Sequence, residues 1–131
     1  MDVGKIIKYS FILILLQFTS GAVVAQFVSF EPASSVSSSE YLWFNYAQSF
    51  ICSVALLTFA ALGLKSNVFS HLITISAIVY ISGNLVTFSL LQKHLPLVLY
   101  LMDAIFSAVV VGTVWLISQA IKRSRSLQHG N

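Results

Sequence analysis

The chain alternates between long apolar segments and short polar connections. Four apolar segments lie at about residues 6–27, 41–64, 68–91 and 95–121, and each reaches the roughly 20 residues that a helix needs to cross a bilayer. Backbone groups in lipid must bond within their own segment, and these segments lack the alternation of a membrane β-barrel. The pattern therefore predicts an all-α fold, an integral membrane four-helix (tetraspan) bundle.

The connections between these segments differ in length and chemistry. Residues 28–40 are serine-rich and carry two acids but no lysine or arginine, whereas residues 65–67 and 92–94 form very short connections. Short connections usually place sequential helices side by side. We therefore expect the second and third helices to form an antiparallel hairpin.

Basic residues predict how the helices are oriented in the membrane. With the N-terminus in the cytoplasm, six of the seven lysines and arginines lie on the cytoplasmic side and Lys93 alone lies outside. Positive charge is enriched in cytoplasmic loops. This bias predicts that both the N- and C-termini are cytoplasmic, with residues 122–131 as a cytoplasmic tail.

The first segment also fits a secretory signal peptide. Lys5 and Lys8 precede an apolar stretch, and small residues lead up to a possible cleavage point after Ala25. Cleavage there would leave three helices. Apolar character continues through Phe30, which is longer than a signal requires, so we favour a retained first helix.

Composition supports a membrane location and limits the possible partners. The chain of 131 residues is 57% hydrophobic and 8% charged, whereas soluble domains carry about 25% charged residues. It is expected to be one multi-pass domain of the plasma membrane or an endomembrane, in contact with the lipid bilayer. The net charge of +3 comes from basic residues flanking the apolar segments, so no nucleic acid partner is predicted.

Asp103 lies inside the fourth apolar segment. A carboxylate in lipid costs several kcal/mol unless it is paired, hydrated or protonated, so it is a candidate functional group. Counting residues from the outer helix ends places five polar side chains in one layer, about 10–15 Å below the outer surface. This polar layer comprises Asp103, Asn84, Gln48, Gln17 and Thr19. We expect Asp103 to hydrogen-bond at least one of the other four, in either a structural clasp or a wet cavity.

Two further patterns concern the faces of single helices. Ser76, Tyr80, Gly83, Asn84 and Thr87 share one side of the third helix. On the fourth helix, small residues recur every four positions, a spacing that favours close packing against another helix. This helix-packing face comprises Ala104, Ala108 and Gly112. It predicts association with other membrane proteins or self-association.

The sequence offers little catalytic or metal chemistry. His71, His94, His129 and the single Cys52 show no metal-ligand spacing, so we predict no metal and no other cofactor. His71 is expected near the cytoplasmic end of its helix. No second titratable group lies near Asp103 in sequence or estimated depth, so the chain is not expected to be an enzyme.

The run LPLVLYLMDAIFSAVVVGTVWLIS resembles the MARVEL family of four-helix membrane proteins, with matching positions at Asp103, Phe106, Ser107 and Ala108. The order of helices departs from that family, in which the acidic helix is usually the third of four and a longer loop follows it. The resemblance implies a non-enzymatic role in organising membranes or assisting vesicle traffic, junctions or membrane apposition and fusion.

A second function remains open on the same residues. Asp103 could be the ion- or proton-linked group of a small transporter, channel or auxiliary subunit. A closed and fully bonded Asp103 would favour membrane organisation, whereas a wet cavity around it would favour transport.

Overall fold

The computed structural model describes residues 2–27, 39–64, 66–91 and 96–128. Within these ranges the chain forms four helices, α1 (Val3–Phe27), α2 (Ser39–Leu62), α3 (Val68–Leu91) and α4 (Leu97–Gln128), and no strand. Each helix contains a segment long and apolar enough to cross a membrane. The predicted all-α fold, with four helices long and apolar enough to span a membrane, is confirmed. Lys93, His94, His129 and most of the serine-rich connection lie outside the described residues.

The helices form a four-cornered bundle in the order α1, α2, α4, α3. Both α1 and α4 pack along α2 and α3, while α2 and α3 barely touch and lie on a diagonal. The expectation that the second and third helices form a side-by-side hairpin is therefore wrong. A five-residue connection can span about 16 Å, which exceeds the roughly 11–14 Å diagonal of a packed bundle. The short connection therefore does not force adjacency, and side-chain packing decides the neighbours.

Two contacts fix the helix directions. The start of α1 meets the start of α3, since the backbone N–H of Asp2 donates to Nε2 of His71 (2.8 Å). The end of α4 meets the end of α2, since Lys122 donates to the carbonyl of Leu64 (2.9 Å). The start of α1, the α2–α3 connection and the end of α4 therefore share one end of the bundle. This end is called the basic end below, and the opposite end is called the cavity end.

The core lies mainly toward the basic end. It is made of aliphatic side chains from all four helices: Ile6, Leu13, Leu57, Ala61, Leu72, Ile75, Val79, Val110, Val111 and Val114. Ile6 and Leu13 are 5% and 2% exposed, so α1 belongs to this core. Cleavage after Ala25 would uncover the faces of α2 and α3 that α1 buries.

Polar contacts close the basic end. Asp2 caps α1 by accepting the backbone N–H of Lys5 (3.2 Å), and this bond holds the pKa of the Asp2 carboxyl below its usual range. Two lysines bind carbonyls of the connection that follows α2: Lys5 Nζ donates to Gly63 (3.2 Å) and Lys122 Nζ to Leu64. Both lysines therefore tie a neighbouring helix to the segment just after α2.

His71 lies in the first turns of α3, as expected, but it is only 3% exposed. Its Nδ1 donates to the carbonyl of Asn67 (2.9 Å), and its Nε2 accepts the N–H of Asp2. Asn67 has a positive φ of 52°, a conformation that asparagine tolerates better than most residues. The ring therefore links the chain start to the turn that leads into α3.

Candidate functional site: a polar cavity around Asp103

A partly open cavity of about 240 Å³ lies toward the cavity end of the bundle, and all four helices line it. Its polar lining includes Gln17 of α1, Asn45 and Ser53 of α2, Asn84 of α3 and Asp103 of α4. The space is many times the 10–15 Å³ that one water centre needs, and it offers the polar partners that a buried water requires. No lysine, arginine or histidine is among the described residues that line it. The cavity therefore suits water or a solute that donates hydrogen bonds.

Asp103 is half-buried in the wall of this cavity. Its Oδ1 accepts a hydrogen bond of 2.5 Å from the hydroxyl of Tyr46, and no described residue donates to its Oδ2. The Tyr46 ring packs on Phe106 of α4 with centroids 5.2 Å apart, and Phe106 packs on Phe50 at 6.2 Å. These ring contacts between α2 and α4 hold the Tyr46 hydroxyl at the depth of Asp103. One carboxylate oxygen is thus held by Tyr46, and the other has no donor among the described residues.

The structure brings together three of the five residues of the predicted polar layer. Gln17, Asn84 and Asp103 all line the cavity. Gln48 instead donates to Ser20 (2.9 Å) and joins α1 to α2. Thr19 is exposed and bonds a carbonyl of its own helix, at Leu15 (2.8 Å). Counting residues along a helix fixed the depth of these side chains but not the direction in which they point.

The predicted hydrogen bond from Asp103 to Asn84, Gln48, Gln17 or Thr19 is wrong, because Tyr46 is its partner among the described residues. The Asn84 amide donates to the carbonyl of Tyr80 in its own helix (2.8 Å). The Gln17 amide reaches Ser53 at 3.4 Å. Both amides border the cavity with Asp103, but open space separates them from it.

Sequence reasoning missed Tyr46 as the partner of Asp103. Its position near the outer end of the second segment suggested an aromatic belt at the membrane surface. A tyrosine hydroxyl lies at the end of a long side chain, so its depth differs from that of its Cα. The polar stripe on the third helix was predicted correctly, because Ser76, Tyr80, Gly83, Asn84 and Thr87 all line the cavity.

The small-residue face of α4 lies elsewhere. Ala104, Ala108 and Gly112 line a second space, an apolar groove of about 440 Å³ on the outer surface between α3 and α4. Ala104 and Ala108 are exposed, and a Cβ added to Gly112 would meet no atom within 4 Å. No helix of the described chain covers this face, so it is open to lipid or to another molecule.

Neither metal-binding groups nor comparisons with known proteins identify a function for the described chain. The described residues contain no group of three or more histidines, cysteines, aspartates or glutamates that could hold a metal ion. No family model, curated protein or solved structure matches the chain. The resemblance to the MARVEL family therefore stays a prediction, and the function must be argued from the cavity and the groove.

Proposed function

We propose that this protein is a small multi-pass membrane transporter, or the solute-binding subunit of one, and that it binds a cationic or hydrogen-bond-donating solute at Asp103. The observation that carries the proposal is a carboxylate in the wall of a polar cavity, with Oδ1 bound by Tyr46 and Oδ2 without a donor among the described residues. A charged side chain inside the membrane normally pairs or faces water. No described lining residue is basic, so a cation from the solution or the bilayer would complement the carboxylate.

A purely structural clasp explains the cavity less well. In a clasp, the polar groups of neighbouring helices bond one another. Two such bonds exist among the described residues that line the cavity, from Tyr46 to Asp103 and from Gln17 to Ser53. The Asn84 amide, however, bonds its own helix although it lines the same cavity as Asp103. A carboxylate oxygen without a donor is costly to bury, and water or a solute in the cavity removes that cost. The arrangement therefore favours binding over simple helix association.

Binding can be tested with methylammonium as the probe. The purified protein in lipid nanodiscs is titrated by calorimetry, and Asp103→Asn is compared with Asp2→Asn, which removes a carboxylate outside the cavity. We expect Asp103→Asn to weaken binding at least about tenfold, because an amide cannot carry the negative charge. Asp2→Asn should bind as the parent does. Uptake of methylammonium by proteoliposomes then separates a transporter from a binding subunit.

The two variants must also fold, which circular dichroism and gel filtration check. A folded Asp103→Asn protein that binds methylammonium as tightly as the parent would overturn the proposal. Absence of binding by the parent protein would overturn it as well. The proposal assigns no catalytic step and no cofactor to the chain.

Lateral association, and with it membrane organisation, is a second candidate function. The observation that favours it is the exposed face of Ala104, Ala108 and Gly112, whose spacing permits close helix contact. In a Cys52→Ser background, Ala108→Cys should form a disulfide-linked dimer in membranes if two copies meet there. Ala55→Cys, at an exposed position of α2, is the matched control.

Orientation forms part of the proposal. The start of α1 and the end of α4 lie at the same basic end, and we assign that end to the cytoplasm from the bias of positive charge. Tags on either terminus should be accessible only from the cytoplasm. Loss of an N-terminal tag from a protein that keeps its C-terminal tag would show that the first segment is cleaved.

A further inference from the structure

The polar cavity and the apolar groove meet between α3 and α4. Three residues border both spaces: Ser76 and Tyr80 of α3 and Ser107 of α4. Two of them are serines, which leave room between the helices. The Tyr80 hydroxyl donates to the carbonyl of Tyr100 (3.3 Å) and so joins α3 to α4 beside this boundary. This boundary, called the junction below, is thus lined by the hydroxyl groups of Ser76, Tyr80 and Ser107 and separates a polar space from a lipid-facing one.

The two spaces have opposite chemistry. On the cavity side lie the Asp103 carboxylate and several amides and hydroxyls. On the groove side lie Phe69, Ile73, Ala77 and the small residues of α4, with no charged residue among the described lining. Phe69 is held by the Trp115 ring, 6.0 Å away and nearly perpendicular to it. A molecule lying across the junction would have one charged end and one apolar end.

We propose that the ligand is a single-chain cationic amphiphile, which enters from the bilayer between α3 and α4. This proposal rests on the proposed binding of a cation at Asp103 and extends it. The amine head passes the junction and pairs with Asp103, while the aliphatic chain stays on the groove over Ala104, Ala108 and Gly112.

Three physical points support this occupant. The cavity contains a carboxylate and no described base, so its charge complements an amine. An aliphatic chain that moves from the bilayer onto the groove stays in an apolar environment, so only the amine head must leave its original surroundings. Helix axes in contact lie about 8–10 Å apart, and the groove between two such helices has the width for one chain rather than two.

The test uses a long-chain primary amine that carries a photoreactive diazirine beside the amine. The protein in nanodiscs is irradiated with this probe or with the matched neutral alcohol, and the labelled residues are mapped by mass spectrometry. We expect the amine to label residues around the junction at least about tenfold more than the alcohol does, and Asp103→Asn to remove that preference. The proposal also requires an open groove for the aliphatic chain. Ala108→Phe would fill part of that groove and should therefore block the labelling.

Ala55→Phe places the same bulk on an exposed position of α2 outside both spaces, and it should label as the parent does. Methylammonium should compete with the amine probe. If methylammonium binding depends on Asp103 but Ala108→Phe leaves amine labelling unchanged, lateral entry is overturned while the cation site survives. If amine and alcohol label the junction equally while methylammonium still binds at Asp103, the amphiphile proposal is overturned and the cation site survives. If methylammonium also fails to bind, both proposals are overturned.

A second copy of the chain on the groove is the remaining outcome. In that case cross-linked dimers appear and the amine labels the junction no more than the alcohol does, which also overturns the amphiphile proposal.

Discussion

The two ends of the bundle use the same four helices in opposite ways. At the basic end, Ala61, Leu72 and Val114 are at most 1% exposed, and lysine ammonium groups bind the carbonyls of Gly63 and Leu64 just after α2. At the cavity end, the helices leave about 240 Å³ between polar side chains. Lipid is as apolar as leucine, so helices in a membrane gain from close packing and from satisfied polar groups rather than from leaving water. The basic end therefore holds the bundle together, and the cavity end is left available for binding.

The largest expected effect comes from the core of the basic end. Leu72→Ala should lower the free energy of unfolding by about 2–5 kcal/mol, because the space left by this buried side chain cannot be filled by its neighbours. Unfolding by sodium dodecyl sulfate in mixed micelles measures this. Leu101→Ala, at a position 55% exposed on α4, should change it by less than about 0.5 kcal/mol. Equal losses for the two variants would remove the distinction between core and outer surface.

The next effect concerns the two lysines that bind carbonyls just after α2. Lys122→Met should cost about 1.5–3 kcal/mol, because a charge-assisted hydrogen bond to the Leu64 carbonyl is lost. Lys5→Met should cost less, since its contact with Gly63 is longer and exposed, and its exposed ion pair with Asp2 (3.5 Å) contributes little. The same unfolding assay ranks the two, with the exposed Lys8→Met as control. A Lys122→Met protein as stable as the parent would mean that the lysine serves only to orient the chain.

A smaller loss is expected at the cavity end. Tyr46→Phe removes the hydroxyl that donates to Asp103 but keeps the ring on Phe106. Hydrogen bonds between membrane helices contribute about 0.6–1.7 kcal/mol, and we expect a loss of that size in the free energy of unfolding. Methylammonium affinity should fall less than in Asp103→Asn, since the carboxylate remains. A loss as large as that of Leu72→Ala would show that the cavity end also holds the bundle together.

The smallest expected effect is a gain. A Cβ added to Gly83 on the cavity wall would meet no atom within 4 Å, so Gly83→Ala fits without displacing a neighbour. Replacing glycine by alanine inside a helix adds up to about 1 kcal/mol. Gly63→Ala is the comparison at the basic end. Gly63 lies in the connection after α2, and an added Cβ would make an ordinary contact, 3.5 Å, with the carbonyl oxygen of Ala60. A destabilised Gly83→Ala protein would indicate that the cavity is filled by ordered molecules.

The helix pattern and the cavity differ in how far the sequence could predict them. Apolar length alone gave four helices close to their observed bounds, although α4 continues past Ile121 to Gln128. Depth counting brought Asp103, Asn84 and Gln17 to one level, and all three line the cavity. It failed for Thr19 and for the partner of Asp103, because the rotation of each helix depends on what it packs against.

The sequence by itself determined that this chain forms four helices long and apolar enough to cross a membrane, since lipid leaves apolar segments of this length no other way to satisfy their backbone groups. It also determined that a carboxylate lies within one of them. Only the tertiary structure decided that α2 and α3 lie on a diagonal, that Tyr46 binds Asp103, and that the small face of α4 points outward. These features depend on which faces of four helices meet, and that choice is made by side-chain packing across the whole bundle rather than by any single segment.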